Sequence, residues 1–318
     1  MVEKDLMNKK LISVVTPCYN EEDNVKTIYA EIKGIFSQLG EYNYEHLFID
    51  NDSQDKTVHV LKQIAQQDSH VRIIVNARNF GFIRSSFYGL IPPQGDAVIL
   101  IFCDLQDPPS LIIDFLQKWQ EGYQVVLGVK KSSQENFLVY NVRRFYYFLV
   151  GTLSEEVELI SNFTGFGLYD RKAIEIFRLI DDPYPFLKGL VSEIGFKRTI
   201  IKYQQNVRTQ GKSSFNFYRM YDLAMVGITT YSNLPLRVAT LFGFLLSICS
   251  LIVAIITLLI KVFFWSYFPI GVAAILMGLF FLASVQLFFI GILGEYIGLI
   301  NQRILKRPLV VERERINW

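Results

Sequence analysis

Short apolar runs alternate with helical periodicities along the first two-thirds of the chain. "LISVV" (11–15) is largely apolar and β-branched, and the chain turns polar after Pro17. Behind it, Val25, Ile28, Ile32, Ile35, Phe36 and Leu39 recur at the three-and-four spacing of an amphipathic helix. The pattern repeats with "YEHLFID" before "VHVLKQIAQQ", "VRIIVN" before "FIRSSFYGL", and "AVILIFC" before "SLIIDFLQKWQEG"; "YQVVLGVKK" closes the series. Such alternation predicts βαβ units, an α/β fold class and a mainly parallel sheet.

From Leu234 the pattern changes. Residues 238–260 carry no charge and match the roughly 20 residues a helix needs to cross a bilayer. A second uncharged run extends from about Phe268 to Leu293. Two buried core helices are the competing explanation, and two adjacent runs of this length argue against it. Arg219 and Arg237 precede the first run, Arg303, Lys306, Arg307, Arg313 and Arg315 follow the second, and the connecting loop holds Lys261. The positive-inside rule then predicts two transmembrane helices with both termini and the large domain in the cytoplasm. Trp265 and Tyr267 suit the far interface, and Glu295 the near one. Segment 215–231 mixes aromatic, aliphatic and polar residues, which suits either a helix lying among lipid headgroups or one facing the soluble core. The predicted organisation is a soluble domain (1–212), a juxtamembrane helical region (213–235), two spans (236–300) and a cytoplasmic tail (301–318).

Composition narrows the function. A formal net charge of +2 gives no electrostatic support for nucleic-acid binding. Cys18, Cys103 and Cys249 show no metal-site spacing, and their odd number argues against a disulfide framework. No apolar stretch follows the charges of "MVEKDLMNKK", so no cleavable signal is expected. His46, His59 and His70 are scattered among polar neighbours and form no evident triad or metal set.

The chemistry sits where the predicted strands end. Asn20 and Glu21, Asp50 and Asp52, Arg78 and Asn79, and Asp104 and Gln106 each follow an apolar run. Parallel sheets bind ligands beyond such carboxyl ends. No Gly-x-Gly-x-x-Gly or Gly-x-x-x-x-Gly-Lys loop is present, which disfavours a dinucleotide dehydrogenase or an ATPase. Asp104 and Gln106 offer hard oxygen ligands for Mg²⁺ or Mn²⁺, with substrate phosphate completing the shell. Asp50 is placed to meet a nucleobase or ribose. Any single acid could instead be a cap, and Asp52 with Ser53 could simply start the following helix.

At these residues the chain resembles a known family. "VVTPCYNEEDN", "IDNDSQDKT", "ARNFGF", "CDLQDPP", "RTQGKSSF" and "NLPLR" together are similar to family-2 glycosyltransferases of the polyisoprenyl-phosphate kind. These are relatives of dolichol-phosphate mannose synthase and of GtrB-like bactoprenol glucosyltransferases. The resemblance implies a GT-A type, nucleotide-sugar-binding domain that moves one sugar onto a lipid phosphate. It places Pro17, Tyr19 and Glu21 against the nucleotide, Asp50 at the base, and Asp104 and Gln106 at the metal and diphosphate. Lys130 and Arg144 (Arg143 being an equal candidate) would supply basic groups. Arg208, Lys212 and Ser213 would clamp the lipid phosphate, with Asp104, Lys130, Arg144 and Arg208 forming the catalytic set.

Three departures accompany the likeness. Phe102 stands where many relatives begin Asp-x-Asp, Gly165 and Gly167 where many carry Asp and Arg, and Ser214 where a basic residue is common. The implied activity is inverting transfer of a hexose, glucose from UDP-glucose being the best guess, to undecaprenyl phosphate, with Mg²⁺ or Mn²⁺ as cofactor. Its implied setting is the bacterial plasma membrane and cell-envelope glycosylation. Two alternatives stand beside it: transfer to a hydroxyl lipid or glycan, which would need a base, and a non-catalytic nucleotide-sugar-binding scaffold. Gly271, Gly278, Gly291 and Gly294 permit close helix contacts, compatible with a homo-oligomer.

Overall fold

The computed structural model describes residues 9–131, 160, 162–206, 234–263, 272–305 and 307–318. The first strands and helices follow the predicted alternation: β1 (Lys10–Cys18), α1 (Val25–Gln38), β2 (Tyr42–Asp50), α2 (Thr57–Gln67), β3 (Val71–Asn76), α3 (Phe82–Gly89), β4 (Ala97–Leu100), α4 (Leu111–Gln120) and β5 (Val125–Lys130). Then come β6 (Phe163–Asp170), α5 (Arg171–Leu179), α6 (Leu187–Glu193), β7 (Arg198–Tyr203), α7 (Leu234–Phe263), α8 (Val272–Ile304) and β8 (Glu312–Ile316).

The strands form one sheet in the order β7-β5-β6-β4-β1-β2-β3-β8. β1 runs parallel to β2 and β4, β2 to β3, and β5 to β7. β6 is antiparallel to both β4 and β5, and β8 is antiparallel to β3. The sheet is therefore mixed, although mostly parallel. Strand β6 was not among the predicted strands, because its two glycines interrupt the apolar run that marks the others.

Alternation along each strand divides the core into two layers. Ile12, Val14, Phe48, Ile73 and Ile99 pack with Ile28, Ile32 and Phe36 of α1, Leu61 of α2, and Phe115 and Trp119 of α4. Val15, Leu47, Ile49, Ile74 and Leu100 face the other way, toward Phe87 of α3 and Ala173, Ile174 and Phe177 of α5. A sheet covered on both faces explains why its central strands read as near-continuous apolar runs. Inside the sheet, the Ser13 hydroxyl donates to Glu45, which also pairs with Arg72 at 2.7 Å. His46 Nε2 lies 2.9 Å from the Thr16 hydroxyl, and burial lowers the imidazole pKa to about 3.

The sequence reading makes 301–318 a tail; the structure corrects this. After α8 the chain returns to the sheet, where Ile73 pairs with Ile316 and Val75 with Glu314. Arg84 secures the approach, donating from Nε to the Leu309 carbonyl (2.8 Å) and from Nη2 to that of Pro308 (2.6 Å). Asn317 donates to the carbonyls of Ala65 and Val71. β8 thereby covers what would be an open β3 edge. Its charged alternation, Glu312 to Arg315, hides a strand from any search for apolar runs.

Helices α7 and α8 contain 30 and 33 residues. At about 1.5 Å per residue each exceeds the roughly 30 Å of a bilayer's hydrocarbon. Among the described residues one stretch, Phe281–Gly298 in α8, is long and apolar enough to cross a membrane. Phe244, Leu287 and Phe288 are largely exposed. The expected interfacial helix at 215–231 lies outside the described residues.

Candidate active site

The parallel arrangement brings the carboxyl ends of β1, β2 and β4 to one rim. Register pairs Cys18 with Asp50, so Tyr19 and Asn51 leave the sheet as neighbours, and Val15 with Leu100, which brings Phe102 to the level of Pro17 on the same rim. The strand order reverses between β1 and β4, and ligands bind at such a topological switch point in open parallel sheets.

The loops after β1 and β2 hold each other. Asn20 accepts from the Gln54 amide (2.8 Å), its own N–H donates to Ser53 Oγ (2.9 Å), and the Glu21 N–H donates to Thr57 Oγ1 (2.8 Å). Asn20 and Asp52 adopt left-handed backbone, which short polar side chains tolerate best. Asp50 is 0% exposed, and both its oxygens accept from Ser53, Oδ1 from the N–H at 3.0 Å and Oδ2 from the hydroxyl. Burial pushes its pKa up, against those bonds. The Asp52–Ser53 capping alternative is not what forms: Ser53 closes on Asp50, while Asp55 serves Thr57 at the start of α2. Pro17 is partly buried at the end of β1, Tyr19 is exposed beside it, and Glu21 accepts from Asn24 Nδ2 at 2.6 Å.

Next to Asp50 lies an asparagine cluster of which the sequence pointed only to Asn79. Asn51 Oδ1 accepts from Asn76 Nδ2 (3.1 Å) and the Phe80 N–H (2.9 Å), while Asn51 Nδ2 donates to Asn79 Oδ1 (3.0 Å). Asn79 Oδ1 also accepts from the Gly81 N–H. These bonds fix the loop after β3 against the loop after β2. Asn51 follows Asp50 directly and Asn76 ends β3; that placement was the available signal.

Beyond β4, Asp104 Oδ1 accepts from the Gln106 N–H at 3.3 Å across a left-handed Leu105. Gln106 Oε1 accepts from Gln205 Nε2 (2.7 Å), and its carbonyl from the Asn206 N–H (2.9 Å), so the residues after β7 brace this loop. Asp107 does not join the rim. It is 2% exposed, accepts from the Tyr203 hydroxyl and faces Lys130 Nζ at 3.9 Å. Burial pushes its carboxyl up while the Lys130 ammonium opposes. Lys130, at the end of β5, is thus held beside Asp107. Arg144, Arg208, Lys212 and Ser213 lie outside the described residues.

The donor set has consequences for a divalent ion. Among the described residues no three His, Cys, Asp or Glu gather in a ligand group. The Asp104 carboxylate and Gln106 amide fit a site in which the chain gives few ligands and phosphates plus water give the rest, as Mg²⁺ commonly accepts.

Packing explains the glycines at 165 and 167; Ser214 lies outside the described residues. A Cβ at Gly167 would stand 2.5 Å from the Val126 carbonyl oxygen, so the approach of β5 leaves no space for the arginine of many relatives. Gly165 has φ of +113°, and its Cβ would face Leu100, Leu187 and Phe102. The histidines take no part: His46 is core, and His70 pairs with Asp68 at 2.8 Å.

The family model for glycosyl transferase family 2 matches residues 13–177. An uncharacterized glycosyltransferase of Bacillus subtilis is 35% identical over 300 residues, covering 94% of this chain and 92% of its own. A bactoprenol glucosyl transferase of Shigella phage SfX is 33% identical over 306 residues, covering 96% and 99%. Among solved structures, glucosyl-3-phosphoglycerate synthase from Mycobacterium tuberculosis, in complex with Mn²⁺, UDP and glucosyl-3-phosphoglycerate, is 19% identical. It covers 72% of this chain and 81% of its own, with a TM-score of 0.49. A mixed α/β domain matched by the family model over more than half of the chain, in a chain alike to such relatives over nearly its whole length, belongs to glycosyltransferase family 2.

Proposed function

We propose that the protein is a membrane-anchored, inverting glycosyltransferase that moves glucose from UDP-glucose to a polyprenyl phosphate. The observation that carries the reading is the placement of Asp104 and Gln106 on the rim shared with Asp50 and Glu21. The acceptor is supported by likeness to bactoprenol glucosyl transferases over 93–96% of the chain. Membrane anchoring is supported by the apolar Phe281–Gly298 stretch and the uncharged run at 238–260. In this reading the soluble domain spans 1–212, with a juxtamembrane helix and two spans after it.

The acceptor decides what chemistry the site requires. A phosphate monoester has its second pKa near about 6, so at neutral pH its oxygen is already an anionic nucleophile. A general base is needed to deprotonate a sugar hydroxyl and is dispensable here. The apolar surroundings of Gly165 suit that economy, whereas a hydroxyl acceptor would be left without its base. The attacking oxygen forms a bond to the anomeric carbon from the face opposite the leaving UDP. The C–O bond to the diphosphate breaks, and configuration inverts.

Charge building on the departing diphosphate must be neutralised. Asp104 and Gln106 would hold Mg²⁺ or Mn²⁺, which when bound supplies electrostatic stabilisation of that leaving group. Pro17, Tyr19 and Glu21 would contact the nucleotide. Asp50, its oxygens organised by Ser53, retains acceptor capacity for a base N–H. Lys130 and Arg144 add positive charge toward the diphosphate, while Arg208, Lys212 and Ser213 grip the acceptor phosphate.

The test is transfer itself. Purified protein in lipid nanodiscs, given labelled UDP-glucose, Mg²⁺ or Mn²⁺ and undecaprenyl phosphate, is expected to move label into a phosphate-linked lipid. Label appearing only in hydroxyl lipids, or nucleotide-sugar binding without any transfer, would overturn the assignment.

A further inference from the structure

Phe102, two residues before Asp104, packs in an apolar neighbourhood. Its ring centroid lies 5.2 Å from that of Phe82, with the planes at 41°. A Cβ on Gly165 would meet Phe102 Cζ and Leu187 Cδ2 at 3.5 Å and Leu100 Cδ2 at 3.4 Å. Phe102 and Gly165, distant in sequence, are thus neighbours in space, and the side chains around them are apolar. The outcome is an apolar patch ending two residues before Asp104.

The patch is ill suited to the polar parts of the donor. Sugar and ribose hydroxyls laid on it would surrender hydrogen bonds to water and gain none. What it suits is an apolar group joined to a phosphate, because the diphosphate-binding residues begin at its edge. The shape adds a second constraint: Phe82 is 50% exposed, so one end of the patch is open. A closed pocket would fit a single methyl group, such as that of an acetamido sugar. An open one fits a chain that passes through and leaves.

We infer that Phe82, Phe102 and Leu187, above Gly165, seat the first isoprene unit of the acceptor, the unit esterified to the attacking phosphate. This rests on the polyprenyl-phosphate reading of the function. The seat aims the phosphate oxygen at the sugar from a side lined by hydrocarbon, and it keeps water, a competing nucleophile, away from the anomeric carbon. Gly165 contributes by absence, since any side chain there would rise into the space between Leu187 and Phe102.

Farnesyl phosphate with a cis (Z) unit next to the phosphate is the probe, because it is more soluble than the long-chain lipid and carries the same first unit. Phe82→Ala, half-exposed and tolerant of truncation, and Phe102→Leu, which keeps the strand end apolar, are compared with the wild type. The expected result is a KM for farnesyl phosphate about tenfold higher in each variant, with the KM for UDP-glucose unchanged. Direct binding of farnesyl phosphate to the UDP- and Mn²⁺-loaded protein is expected to weaken in parallel. Unchanged acceptor binding in both variants would overturn the seat, as would a rise confined to the donor KM or a changed preference between glucose and N-acetylglucosamine donors. The two readings fail separately. Wild-type protein that binds farnesyl phosphate through Phe82 but transfers no sugar refutes the function alone; normal transfer with variant-independent binding refutes the seat alone.

Discussion

Arg313 Nη1 stands 3.0 Å from Asp52 Oδ1, so the last strand of the chain touches the loop that follows Asp50. The same strand binds Tyr88 through Glu312 and Lys62 through Glu314. A segment that follows both long helices is thereby built into the sheet that carries the site.

Removing residues 312–318 should therefore lower stability well beyond the loss of any one contact. It opens the β3 edge and frees Asn317's two backbone partners, and edge exposure favours aggregation. Arg313→Ala alone should cost only about 0.2–1 kcal/mol, because the pair is solvent-exposed. Thermal unfolding with light scattering compares the two; equal stability of the truncated chain would show β8 to be dispensable.

Asp104→Asn should reduce metal-dependent turnover by at least about a hundredfold, the scale set by losing one preorganised electrostatic group. The neutral amide keeps the Gln106 contact but removes the charge. Titrating Mn²⁺ in the presence of UDP should show weaker binding in parallel. Undiminished rates would remove Asp104 from the mechanism.

Gly165→Asp restores the residue type of many relatives yet should not raise activity. Left-handed backbone costs a non-glycine residue roughly 1–2 kcal/mol, and the new carboxylate would face Leu100, Leu187 and Phe102. Denaturant unfolding should show the loss, and transfer rates should stay level or fall. A clear rate gain would mean that a base matters after all.

His46 predicts an acid-sensitive window. Its folded pKa is about 3, against about 6.5 in the unfolded chain, with burial as the cause. Between those values the unfolded state takes up a proton that the folded state refuses, so stability falls as pH drops from 6.5 and is flat above it. His46→Gln should flatten this part of the pH profile by up to one proton. An unchanged slope, followed by urea midpoints, would place the titration elsewhere.

Much of the fold was legible because burial on both faces of a parallel sheet leaves long apolar runs. β1 to β5 and their helices follow directly from that pattern. β6 escaped because Gly165 and Gly167, demanded by backbone conformation and by the approach of β5, thin its apolar run. β8 escaped because an edge strand can be charged on alternate residues. At the site, Asp104, Gln106, Asp50, Tyr19 and Glu21 were visible as polar residues after strand-like segments. Asn51, Asn76 and the buried Asp107–Tyr203 pair were not, since a hydrogen-bonded polar residue in the interior looks the same in sequence as one on the surface.

By itself the amino-acid order determined the strand–helix alternation, the apolar helices and the set of rim residues, because hydrophobic periodicity and turn chemistry are local. Only the tertiary structure decided that the chain's end completes the sheet, that Asp107 faces inward, and that Phe102 and Gly165 meet. Those outcomes depend on which strands pair and on which face each side chain emerges, and no stretch of sequence contains that information alone.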